Sequence, residues 1–162
     1  IIQNNLVYFV ESSNLGIEYY VFKWPDDKEL GIEKLKLCKE IFFNLVSQYK
    51  SFDINVGGIQ INPDGCIILK TFPIYNDFFN MRELIKNSYP YSSSRKQSEW
   101  MHIPLGRILV PLGSKTFREL KEYVLNLNNF MYDLKISMIH LIHENRWYMT
   151  EKKYLYSSKL KS

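Results

Sequence analysis

One stretch constrains the fold more than any other: FDINVGGIQINPDGCIILKTF, from Phe52 to Phe72. Two runs rich in apolar residues, Phe52–Ile61 and Cys66–Phe72, flank Asn62-Pro63-Asp64-Gly65. Proline presets the backbone angle of a turn, and asparagine and aspartate bond to their own backbone. Glycine tolerates the left-handed conformation. These four residues therefore reverse the chain, and the two runs pair as a hairpin.

Strands and helices alternate around that hairpin. Leu6–Val10 is a short apolar run ended by the turn cluster ESSNLG, and Ile17–Trp24, IEYYVFKW, reads as a strand closed by Pro25-Asp26-Asp27. From about Gly31 to Tyr49, Ile32, Leu35, Cys38, Phe42, Leu45, Val46 and Tyr49 recur at helical steps, with lysines and glutamates largely between them. Phe78–Ser88 predicts a second helix, and Tyr89–Gln97 a polar loop expected to be the most flexible segment. Thr116 and Glu119 have the spacing of a capping box for a third helix, with Phe117, Leu120, Val124 and Leu127 on its apolar face. LKISMIHLIHE and RWYMTEKKYLYSSKL predict two closing strands joined near Glu144-Asn145.

The bulk properties narrow the class. With 162 residues, 46% hydrophobic and 15% aromatic, the chain can build one packed domain. Its 21 basic and 17 acidic residues leave a charge of +4, which permits a phosphate-bearing partner without demanding one. Cys38 and Cys66 lack CxxC spacing and read as buried thiols of a reducing compartment. No run of about 18 apolar residues exists to span a membrane. The first residues lack the basic segment of a signal peptide. A cytoplasmic monomer is expected.

A polar residue set in an apolar run marks the second half. In WMHIPLGRIL, His102 opens a strand that carries Pro104 and Arg107. Proline donates nothing to a ladder, so this strand is expected at a sheet edge or beside an irregularity. Five residues separate His102 from Arg107, which puts them on opposite faces of a regular strand; a bulge near Pro104 or Gly106 is needed to bring them to one face. The spacing of this unit also repeats. Strand Tyr19–Trp24, helix, and strand from Phe52 match strand His102–Leu109, helix, and strand from Leu134. Two βαβ-like units of equal length suggest an α+β domain with an internal pseudo-dyad that sets Tyr19 opposite His102.

On those residues the chain resembles the 2H phosphoesterase superfamily, the LigT-like 2′,5′ RNA ligases and cyclic phosphodiesterases. That family carries two His-x-Thr/Ser motifs facing each other across a cleft. In the second the pattern often continues as His, any residue, Thr, Leu, any residue, Arg. His102-Ile103-Pro104-Leu105-Gly106-Arg107 keeps the histidine, leucine and arginine, and FDINVGGIQINPDGCIILK looks like the hairpin that follows the first family helix. The resemblance covers nearly the whole chain. It implies two pseudo-symmetric lobes of antiparallel sheet with helices packed outside, lobe one at roughly 17–90 and lobe two at roughly 98–162, in a single domain spanning 1–162.

It also implies a site, and two departures bear on it. Pro104 stands where a hydroxyl would hold the phosphate, and the matching first position is Tyr19, with Val21 at the hydroxyl position; no histidine precedes His102. The family chemistry uses one imidazole as base and the other as acid, which suits a pKa of about 6.5. A tyrosine hydroxyl, with a pKa near ~10, is at best a donor. His102 is thus the expected acid–base group, with Tyr19, Arg107, Lys23 and Pro104 around the phosphate, no cofactor and no metal. The expected ligand is RNA or a phosphorylated nucleotide with a 2′,3′-cyclic or 2′,5′ linkage, and catalysis is expected to be reduced or lost. The alternatives are a non-catalytic module for nucleotide, RNA or protein, and a scaffold domain of a larger protein.

Other polar groups have blander readings. His140 and His143 with Glu144 lack a third spaced metal ligand and read as structural or surface residues. Arg146-Trp147-Tyr148 offers stacking beside a cation or simple sheet packing. Ser92–Gln97 offers a mobile cover for a phosphate or a solvated connection.

Overall fold

The computed structural model describes residues 6–146 and 151–162. The Asn62–Gly65 turn joins β2 (Phe52–Ile61) to β3 (Cys66–Pro73) as the sequence requires, with Gly65 at φ 87° and its N–H on the Asn62 carbonyl. They belong to a five-stranded antiparallel sheet in the order β1-β4-β3-β2-β5, where β1 is Val7–Phe9, β4 is His102–Ile108 and β5 is Tyr132–Ile136. Strands from both halves of the sequence therefore share one sheet. A second sheet is the hairpin of β6 (Met138–Arg146) and β7 (Glu151–Lys159). What reads as one strand, LKISMIHLIHE, breaks at Ser137 and serves both sheets. Trp147 and Tyr148 lie outside the described residues.

The burial pattern of β2, with Phe52, Ile54 and Val56 buried and Asp53 exposed between the first two, shows that one sheet face is packed and the other open. Helices α1 (Ile32–Gln48) and α2 (Asp77–Ser88) supply Cys38, Ile41, Phe42, Leu45, Phe78, Met81 and Ile85 to the packed side. Ile139, Leu141 and Leu160 of the second hairpin region complete the same core. The structure is thus α+β, antiparallel sheets combined with α-helices. A further helix, α3 (Ser114–Asn126), starts after Gly113 without a side-chain cap, so Thr116 is interior and its capping box does not form. Leu120 and Val124 are buried there, while Phe117 is exposed. No described helix is long and apolar enough to cross a membrane.

The largest departure from the sequence reading is Ile17–Trp24, which forms no strand. Its aromatic residues have strand character, but that character reflects packing rather than backbone preference. Tyr19 packs its ring 4.7 Å from Phe78, and Phe22 lies 4.9 Å from Tyr89, so the segment spends its apolar surface on α2 and the residue after it. Side chains replace a strand partner for its backbone. Arg82 donates to the carbonyls of Glu18 and Tyr19, and the Gln97 amide both accepts from the Val21 N–H at 2.9 Å and donates to the Val21 carbonyl at 2.8 Å. The equal spacing of the two sequence units therefore does not reflect two equivalent strands.

Candidate functional site on the open sheet face

Register determines which side chains meet. Residues paired directly across antiparallel strands share a face. On β3, Cys66, Ile68, Lys70 and Phe72 point to the face opposite Ile67, Leu69 and Thr71; Ile68 is itself buried, while Cys66 and Lys70 are half-buried and Phe72 is exposed. Lys70 pairs with His102, Ile68 with Pro104, and Cys66 with Arg107. The register slips once, between Ile67 and Ile68, because β4 holds the additional residue Leu105. That bulge delivers the condition set by the five-residue spacing: His102, Pro104 and Arg107 all project from the open face. Tyr8 of β1 pairs with Arg107 and joins them.

Pro104 fits because β1 pairs β4 from Gly106 to Ile108, and the flanking bonds, from the Val10 N–H to the Leu105 carbonyl and from the Leu109 N–H to the Leu6 carbonyl, ask nothing of it. At Gly106 the strands approach so closely that a Cβ would collide with the Tyr8 carbonyl oxygen. A side chain there would separate β1 from β4.

A second bulge places Lys70, which the sequence reading missed. Between Val56 and Ile59, Gly57 and Gly58 oppose one residue of β3. Gly58 has φ 73°, and a Cβ on it would lie 2.7 Å from the Lys70 Cε. The glycine leaves the groove through which the lysine stem passes. Two adjacent glycines inside a strand are the available signal for this device, since strand interiors otherwise disfavour glycine.

His102 is half-buried, and its pKa lies below the ordinary imidazole value. Burial is the main cause and the Arg82 charge adds to it, while its hydrogen bond to the Trp100 backbone and the Asp64 carboxylate oppose. The ring is therefore neutral near pH 7, as an acceptor of protons must be. Arg107 occupies the other end of the face. Its partner on β3 lies four residues from that of His102, about 13 Å along the strand. Its guanidinium bends to the hairpin turn, donating to the Asp64 carbonyl at 3.2 Å and facing the Asp64 carboxylate at 3.6 Å. Burial pushes the Asp64 pKa up, but bonds from Cys66 and the Arg107 charge outweigh it and hold the group low.

Tyr19 and Lys23 do not lie on these strands. The Tyr19 hydroxyl is buried with no hydrogen-bond partner among the described residues, and burial, with Asp77 assisting, pushes its pKa far above the ordinary phenol value. It is in no position to ionise. The Lys23 side chain is only 8% exposed and pairs with Glu29 at 3.3 Å in a separate groove. His140 bonds Ser157 at 2.8 Å, and His143 faces Glu29 at 3.3 Å. Among the described residues, no three histidine, cysteine, aspartate or glutamate side chains converge as a metal would require.

This architecture is shared by several solved structures. The crystal structure of TT0787 of Thermus thermophilus superposes with a TM-score of 0.72 at 12% identity, over 99% of this chain and 86% of that one. A structure described as a phosphoesterase gives a TM-score of 0.61 at 12% identity, covering 99% and 85%. Escherichia coli LigT complexed with 3′-AMP gives 0.62 at 13%, with the same coverage. No family model and no curated protein matches the sequence. The resemblance drawn from HIPLGR and the hairpin thus holds as a shared, LigT-like fold.

Proposed function

We propose that this chain is a 2H phosphoesterase-like protein whose open sheet face receives the phosphate of RNA or a nucleotide with a 2′,3′-cyclic or 2′,5′ linkage. The observation that carries this reading is the Leu105 bulge, which brings His102, Pro104 and Arg107 to one face beside Lys70. In it His102 is the acid–base group, Lys70 the phosphate cation and Arg107 a more distant cation for a neighbouring phosphate. The 3′-AMP held by LigT, a protein of the same fold, supports a nucleotide as ligand.

Catalysis is reduced or lost in this reading. A single imidazole does one of the two proton transfers, and loss of one acid–base partner typically costs about 10²–10⁴ in rate. Pro104 adds neither a hydroxyl nor an N–H to hold a phosphoryl oxygen. The protein is incubated with 2′,3′-cyclic nucleotides and a 2′,5′-linked oligonucleotide, with His102→Ala as control. Slow turnover abolished by the substitution supports a residual enzyme. Binding without turnover, weakened by Lys70→Ala, supports the non-catalytic nucleotide module. Neither binding nor turnover removes the reading.

A further inference from the structure

A second groove, none of whose lining residues belongs to the open sheet face, combines cations with an aromatic floor. It has a volume of about 330 Å³ and lies between the segment around Lys23–Lys34 and the loop Ser92–Ser94. That volume is in the range of small-ligand sites. The loop, expected from sequence to be the most flexible, is held in place. Arg95 pairs with Asp26, Ser94 bonds the Asp27 carboxylate, and Gln97 closes on the Val21 backbone. These bonds fix the walls without a ligand, so binding incurs little ordering cost.

The charges inside favour an anion. Lys23 is neutralised by Glu29, and the Asp27 carboxylate is taken up by the Trp24 N–H at 3.0 Å and by Ser94. Lys28 and Lys34 also line the groove, and among the described residues neither makes an ion pair. With Asp27 counted against them, one positive charge remains. The Lys34 ammonium sits 4.4 Å over the Tyr91 ring, and Tyr89 lies 5.2 Å from Tyr91 and 4.9 Å from Phe22. The site therefore has a polar, cationic rim above rings packed edge to face.

From this arrangement we infer that the groove is a binding site for a small organic phosphate with a flat apolar body, its phosphate between Lys28 and Lys34 and its body against Tyr91. This does not depend on the open-face reading. The test titrates ¹⁵N-labelled protein with inorganic phosphate and with phenyl phosphate, following the Ser92–Ser94 amide signals. Expected are saturable shifts there, tighter for phenyl phosphate, and at least ten-fold weaker binding of both in the double variant Lys28→Ala, Lys34→Ala. Tyr91→Leu is expected to bring phenyl phosphate down to the level of phosphate. The absence of saturable shifts at the loop, shifts that survive the double substitution, or shifts confined to Lys70 and His102 would each overturn the proposal. The last outcome would leave the open-face reading standing.

Discussion

His102–Arg107 and Tyr19–Lys23 are the two stretches that the sequence sets in parallel, and the molecule treats them in opposite ways. The first is a strand paired on both sides over its second half, with polar side chains on an open face. The second is an irregular strap whose rings face the core and whose backbone is held by the side chains of Arg82 and Gln97. By composition the second, YYVFK, is the more strand-like of the two, against HIPLGR. What separates them is where their backbone hydrogen bonds go, and composition does not carry that information.

The sharpest contrast should appear on adding bulk to a glycine of each stretch's neighbourhood. Gly106→Val forces a side chain into the Tyr8 backbone and is expected to cost about 3 kcal/mol or more, seen as a large fall in the urea midpoint. Gly16→Val, with nothing within 4 Å of its Cβ, should stay within about 0.5 kcal/mol. Equal losses would mean that the strap is as tightly built as β4.

Next in size is Arg82, which joins the two stretches. Its guanidinium is buried and bonds the carbonyls of Glu18, Tyr19 and Ser98, the last leading into β4. Arg82→Met strands those acceptors, at an expected cost of about 2–4 kcal/mol, measurable by chemical denaturation. A Lys70→Ala substitution should weaken 3′-AMP binding read from the His102 ring signals by roughly ten-fold, the scale of one charge-assisted contact. Lys23→Ala should leave that readout unchanged. If Lys23 matters there and Lys70 does not, the assignment of the two regions is reversed.

Proton titration gives a finer measure. The folded pKa of His102 is depressed, so the unfolded chain binds more protons, and the histidine favours folding above the ordinary value of about 6.5. That contribution is lost as pH falls through the folded pKa. The His102 ring signals should titrate below the value of a free histidine, and Arg82→Met should raise the midpoint. The smallest effect is expected at Tyr19→Phe. Removing a buried hydroxyl with no partner among the described residues should change stability by less than about 1 kcal/mol, toward neutral or stabilising, without altering nucleotide binding. A loss of binding would restore Tyr19 to the site.

How much was legible follows from locality. The Asn62–Gly65 turn and the periodicity of α1 are encoded in neighbouring residues, and both appear within a residue or two of expectation. The bulge beside Pro104 could be posed as a condition, since His102 and Arg107 on one face require an extra residue between them. Lys70 was not legible in that way. Its place beside His102 depends on β3 and β4 pairing in one register, a contact between residues 32 positions apart, together with the gap that Gly57-Gly58 leaves. The strap misled because side chains from α2 and the 92–97 loop, distant in sequence, supply what a neighbouring strand would have supplied.

The Gln97 amide has one more consequence. A segment rich in tyrosine, phenylalanine and valine with open backbone groups is a template on which another chain can add a strand. By occupying both the N–H and the carbonyl of Val21, one side chain takes that residue's backbone pair out of reach of an added strand.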